Sequence, residues 1–67
     1  MKGFIEVVDL DEKVNVLINI NNIVRVRPSN DNTLLWLNIY NPTRLGYTLT
    51  TSIPYDEVKA LMEAASN

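Results

Sequence analysis

The pattern that most constrains the fold is an alternation of apolar and polar residues early in the chain. Val16, Ile18 and Ile20 take every second position, which places Asn15 and Asn19 on the other face. Because successive side chains point to opposite faces of a strand, this spacing predicts a β-strand with one apolar and one polar face. The apolar face needs cover from other strands or from a helix.

Four further strands are predicted on both sides of this one. Each is rich in β-branched or aromatic residues and is bounded by residues typical of turns. The predicted strands are Phe4–Val8, Ile23–Pro28, Thr33–Tyr40 and Tyr47–Ile53. The predicted turns are Asp9–Lys13, Ser29–Asn32 and Asn41–Arg44, and the first of them makes a hairpin of the first two strands.

The connection between the second and third strands is constrained by parity. A two-residue hairpin at Asn21 and Asn22 would place Arg25 opposite Ile18, on the apolar face. A three-residue connection from Asn21 to Ile23 instead pairs Ile18 with Val26. We therefore expect an odd connection built as a corner or single helical turn, with one Asn in the left-handed conformation.

A helix of about three turns is predicted after the last strand. Pro54 suits a helix start because it lacks an N–H, and Asp56 and Glu57 suit the positive end of the helix dipole. One apolar stripe runs along it, formed by Tyr55, Val58, Leu61, Met62 and Ala65. The predicted fold is α+β: one domain over residues 1–67, with a small antiparallel β-sheet or partly closed barrel of about five strands and one C-terminal helix.

Composition argues against catalysis. The 67 residues include no Cys and no His, which removes the commonest general base, metal ligand and thiol nucleophile. The carboxylates fall mainly in turns and at the helix start, where we expect them to be solvated. The run Asp9–Glu12 lacks the glycine and distal glutamate of a calcium loop. We therefore predict no enzymatic activity, no catalytic or metal-binding residue, no cofactor and no small-molecule substrate.

Charge and hydropathy bear on location and partners. The chain has no stretch of about 18 apolar residues and no basic-then-apolar start, so we expect a cytoplasmic protein without a membrane partner. The net charge of −2 disfavours a general binder of phosphate backbones. A core of this size is marginal without disulfides or metal, so we predict self-association or a protein partner.

The fourth predicted strand is apolar on both faces. Leu35, Leu37 and Ile39 form one set, which we assign to the core with Val16, Ile18, Ile20, Val24 and Val26. Since one helix covers only one face of a small sheet, Leu34, Trp36 and Tyr40 remain. Edged by Arg25 and Arg27, they are the predicted partner-binding surface, with Trp36 partly exposed. The alternative is that Trp36 and Tyr40 are ordinary core residues.

The arginines also allow two interpretations. Arg25 and Arg27 share one face of a strand, and Arg44 lies in a nearby turn. They can pair with acidic neighbours across the sheet, as exposed strand residues often do. Alternatively, guanidinium groups beside Trp36 or Tyr40 form a surface for single-stranded nucleic acid.

Short motifs along the chain resemble a known family. They are Ile18-Asn19, Asn22-Ile23, Asn32-Thr33, Ser52 and Glu57-Val58. Their order and spacing are similar to those of small FlbD-like bacterial proteins and of short proteins of bacterial and phage genomes. The resemblance implies a non-enzymatic accessory or regulatory protein that acts through contacts, and it supplies no site residue. The predicted function is thus a small protein-interaction or regulatory module, with a single-stranded nucleic-acid-binding protein as the alternative.

Overall fold

A computed structural model describes the backbone of residues 2–41 and 44–66 and the side chains of residues 2–39 and 47–66. These residues form five antiparallel strands and one helix, which confirms the predicted α+β fold class. In chain order the elements are β1 (Phe4–Asp9), β2 (Val14–Asn19), a 3₁₀ turn (Ile20–Asn22), β3 (Ile23–Ser29), β4 (Asn32–Asn41), β5 (Arg44–Thr51) and α1 (Tyr55–Ser66).

The strands form two sheets. β1 and β2 make a hairpin, as predicted, and β3, β4 and β5 form a three-stranded meander with β4 in the centre. The two sheets meet where the Leu10 N–H donates to the Thr50 carbonyl oxygen at 2.9 Å, beside the ends of β1 and β5. The arrangement is not a closed barrel, and β2 and β3 form its two outer edges.

The connection between β2 and β3 has the odd length that parity requires. It is a single 3₁₀ turn, begun by the Asn19 side chain, whose Oδ1 accepts from the Asn21 N–H at 2.9 Å. Ile18 and Val26 both pack in the core, and Arg25 is exposed, as predicted. The predicted pairing of these strands is wrong, because the turn carries the chain from one sheet to the other.

Left-handed backbone occurs elsewhere than expected. Neither Asn21 nor Asn22 adopts a positive φ. Asn30 does so instead, at φ 55°, in the two-residue turn between β3 and β4, and Lys13 does so at φ 59° at the end of the first hairpin. A two-residue hairpin needs such a residue to match the twist of its strands, and Asn tolerates the conformation well.

Two β-bulges overturn part of the predicted core. The register between β3 and β4 shifts between Ile23 and Arg25, which leaves Val24 as the extra residue, 62% exposed. The register between β4 and β5 shifts between Leu37 and Tyr40, and Ile39 in that segment is 43% exposed. An extra residue reverses the facing of the side chains beyond it, so strict alternation misplaced both.

The core lies between the two sheets and α1. Its buried members come from every regular element except β3: Ile5, Val7, Ile18, Leu35, Leu37, Leu49, Val58 and Ala65. Val16, Ile20, Val26 and Tyr47 are half-buried against this cluster. The set matches the apolar face predicted for β2, and that predicted for β4 as far as Leu37.

Helix α1 packs on the core through most of its predicted stripe. Val58 and Ala65 are buried, and Leu61 and Met62 are half-buried on the cluster, whereas Tyr55 lies outside it beside Lys59. The Gly3 N–H donates to the Ala65 carbonyl at 2.8 Å and thereby ties the start of the chain to the last helical turn. Within the described ranges, no helix has the length and apolar character needed to cross a bilayer.

Asp9 departs from the expectation that turn carboxylates are solvated. It is only 2% exposed, because it follows Ile5 and Val7 on the inward face of β1. Its Oδ1 accepts from the Asp11 and Glu12 N–H groups at 3.0 and 3.3 Å, and its Oδ2 accepts from the Tyr47 hydroxyl at 3.0 Å. The side chain thus joins the first turn to β5.

Candidate interaction surface

The register of the three-stranded sheet brings the predicted surface residues together. Arg25, Trp36 and Thr48 lie directly opposite one another across β3, β4 and β5. Arg27, Leu34 and Thr50 form the next row. Residues directly opposite in an antiparallel sheet share a face, so these six side chains form one surface, called here the Arg/Trp face.

The Arg/Trp face lies on the side of the sheet away from the core. Thr33, Leu35 and Leu37 alternate with Leu34 and Trp36 along β4 and are buried beneath the opposite side, where α1 packs. Leu34 and Trp36 are half-buried. Trp36 is therefore partly exposed, as predicted, and does not belong to the core cluster. Its role in binding stays a prediction.

Two residues named in the sequence-based prediction are not placed by these data. The backbone of Tyr40 belongs to β4 and pairs with Leu45. The side chains of Tyr40 and Arg44, however, lie outside the described residues.

The electrostatics of the face follow from its arginines. The Arg25 guanidinium lies over the Trp36 ring, with Cζ 4.6 Å from the ring centroid, a cation–π geometry. All eight carboxylate side chains fall within the described residues, and none of them pairs with Arg25 or Arg27; the one ion pair found there joins Lys59 and Asp56 on α1. Pairing of Arg25 and Arg27 with acidic neighbours is thus wrong, and the face is locally positive on a chain of net charge −2.

The other concave or polar features of the described residues are weaker candidates for a functional site. A shallow open groove of about 340 Å³ lies between the start of β1 and the end of α1, lined by Phe4, Glu6, Leu61 and Ala64 among others. The side chains that the structure describes contain no cluster of metal-ligating groups. Every buried polar side-chain atom among them has a hydrogen-bond partner.

Comparison with known proteins adds nothing to this geometry. No family model, no curated protein and no solved structure matches the chain. The FlbD-like resemblance stays a prediction.

Proposed function

We propose that this chain is a small non-enzymatic module that binds a protein partner through the Arg/Trp face. The observation that carries the proposal is Trp36, partly exposed on an open sheet, with Arg25 stacked on its ring and with no Asp or Glu side chain among the described residues in an ion pair with either arginine. Trp and Arg are the residues most enriched at the energetic centres of protein interfaces.

The chemistry of the face specifies the kind of partner. The Cα atoms of Arg25 and Arg27, two residues apart on one strand face, lie about 7 Å from each other, so the two guanidinium groups can each meet a carboxylate of one extended segment. Leu34 and Trp36 provide an apolar strip next to them, and Thr48 and Thr50 provide hydroxyls. The fitting partner is an acidic protein segment with an apolar or aromatic side chain between its carboxylates.

Regulatory and cellular assignments are part of the same proposal. A module that binds without catalysis suits an accessory or regulatory role, as the resemblance to small bacterial and phage proteins implies. We place it in the cytoplasm, a reducing compartment whose proteins generally fold without disulfides, as a chain without cysteine must.

Replacing Trp36 by Glu tests the surface. A carboxylate there removes the apolar anchor and offsets one of the two arginine charges, so affinity for the partner should fall at least ~30-fold, the loss typical of a central interface residue. The immobilised chain is used to capture proteins from a lysate of the source organism. Isothermal titration calorimetry with the purified partner then measures the affinity of the wild type and of the variant, which has lost the only tryptophan of the chain.

The matched control is Ala60→Glu, which adds the same charge at an exposed position on α1. The proposal requires a partner that Ala60→Glu retains and a folded Trp36→Glu loses. Equal capture by both variants, or a Trp36→Glu chain that fails to fold, as judged by circular dichroism, would return Trp36 to a structural role.

A single-stranded nucleic acid is the second candidate, favoured by the same guanidinium and aromatic groups on an open sheet. Two observations weigh against it: the net charge is negative, and Arg25 already occupies a face of the Trp36 ring on which a base would stack. We expect no binding of fluorescent single-stranded oligonucleotides at about 50 mM salt, where phosphate contacts are strongest. Saturable, salt-sensitive binding lost in Arg25→Glu but kept in Lys59→Glu would instead favour the nucleic acid.

A further inference from the structure

The outer edge of β2 is unpaired and unprotected. Among the described residues β2 pairs only with β1, and α1 packs mainly against β1, β3, β4 and the 3₁₀ turn. From Val14 to Asn19 the strand carries no charge, no proline and no glycine, and the side chains of Val14 and Leu17 are 51% and 55% exposed. Such an edge is a template for pairing with another strand.

The other outer edge, β3, has the protection that β2 lacks. A bulge at Val24 interrupts its ladder, Pro28 removes an N–H, and Arg25 and Arg27 add charge. These are devices that natural sheets use to prevent edge-to-edge association. The contrast between the two edges of one small domain indicates that β2 has a strand as its partner.

Hydrogen bonding along the hairpin identifies the backbone groups that face outward. The Ile20 N–H donates to the Gly3 carbonyl at 2.9 Å and continues the register in which Ile18 opposes Ile5. Inward and outward groups alternate along an antiparallel strand, so the even-numbered residues of β2 bond to β1. The N–H groups of Asn15, Leu17 and Asn19, and the carbonyls of Asn15 and Leu17, therefore point to the open edge.

We propose that two copies of this chain associate through β2, antiparallel about a two-fold axis at Leu17. The two Leu17 residues exchange backbone hydrogen bonds, and each Asn19 N–H donates to the Asn15 carbonyl of the other copy. Val16 of one copy then lies opposite Ile18 of the other on the core side. The result is a continuous β1–β2–β2–β1 sheet shared by the two copies.

Register and charge select this pairing. A two-fold axis at Asn15 would pair Leu17 with Lys13, whose φ of 59° is not that of a strand. An axis at Asn19 would pair Leu17 with Asn21, which lies in the 3₁₀ turn. Axes at Val16 or Ile18 would pair Asn19 with Lys13 or Asn15 with Asn21, so only the axis at Leu17 pairs all three outward N–H groups inside the regular strand of both copies. It also brings no two like charges opposite each other.

The dimer is independent of the proposed function, because it uses none of the Arg/Trp face. One short strand per copy gives an interface below the standard size of ~1,600 Å², so we expect a dissociable dimer. Sedimentation equilibrium of the full chain, from about 10 μM to about 1 mM, should show the mass rising from 7.6 kDa towards twice that value.

Leu17→Lys and Val24→Lys are a matched pair of variants. Both replace an exposed apolar side chain by Lys at an outer edge, one on β2 and one on β3. Leu17→Lys sets two like charges across the axis and should weaken dimerisation at least ~10-fold, whereas Val24→Lys should dimerise like the wild type. Trp36→Glu should also dimerise normally, which separates this interface from the Arg/Trp face.

Amide hydrogen exchange of the wild type is a second measurement that needs no variant. The Asn15, Leu17 and Asn19 amides should exchange more slowly at the high concentration than at the low one, with the Ile18 amide as an internal reference. A wild type that is monomeric throughout, a Leu17→Lys chain that dimerises normally, or these amides unchanged by concentration would overturn the proposal. Loss of the dimer only in Val24→Lys would place the interface on β3.

Discussion

Leu35→Ala is expected to lower the free energy of unfolding by about 3–5 kcal/mol, the upper part of the range for a buried leucine. Leu35 is fully buried at the centre of β4, the central strand of the larger sheet, and its loss leaves a cavity that two paired neighbours prevent from closing. A chain of 67 residues has roughly 3–10 kcal/mol of stability in all. The variant should therefore be largely unfolded or melt at least ~12 °C lower.

Leu17→Ala is the control, because it makes the same chemical change where the side chain is 55% exposed. In dilute solution, below the range of any dimer, its cost should stay under about 1 kcal/mol. Urea denaturation followed by far-UV circular dichroism measures both variants. If the two midpoints shifted equally, the core would not be centred on β4.

Much of this fold can be predicted from residue patterns inside single segments of the chain. The alternation from Val16 to Ile20 identified β2 and its inward face, and Pro54 with Asp56 located the start of α1 within a residue. Val24 and Ile39 could not be placed in the same way. A bulge depends on how two strands pair. The sequence of either strand alone does not indicate where the extra residue lies.

The candidate surface could likewise be predicted where it depends on the pattern within one strand. Leu34 and Trp36 alternate with core residues over a stretch without a bulge, so parity placed them correctly, and Arg25 and Arg27 followed from their own strand. The absence of ion pairs to these arginines depends on which strands become neighbours. The unpaired edge of β2 was equally hidden, because the predicted pairing of β2 with β3 would have covered it.

The prediction that Asp9 is solvated is wrong, although the alternation along β1 indicates its burial. It lies two residues beyond Val7 and four beyond Ile5, both inward-facing, so the same parity places its side chain inside. An aspartate in a turn is typical of a solvated side chain, but here the inward face of β1 extends to Asp9 and the side chain is buried. A carboxylate can occupy that position because N–H and O–H donors surround it.

Asp9→Ala is expected to destabilise the fold by about 2–4 kcal/mol, because hydrogen bonds to a charged group contribute about 1.5–3 kcal/mol each. The Asp11 and Glu12 N–H groups lie in an exposed turn and can bond to water instead, so most of the loss comes from the Tyr47 hydroxyl and from the turn itself. Urea denaturation of the purified variant measures the change.

Asp11→Ala is the matched control, since it removes the same charge from the same turn at an exposed position and should cost less than about 0.5 kcal/mol. A double-mutant cycle with Tyr47→Phe isolates the bond between β1 and β5, for which we expect a coupling of about 1–2 kcal/mol. Because the cycle subtracts every contact that either residue makes elsewhere, a coupling near zero would mean that the 3.0 Å contact does not join the two sheets. Asp9 would then act on its own turn alone, while the Leu10 N–H to Thr50 bond would still join the two sheets.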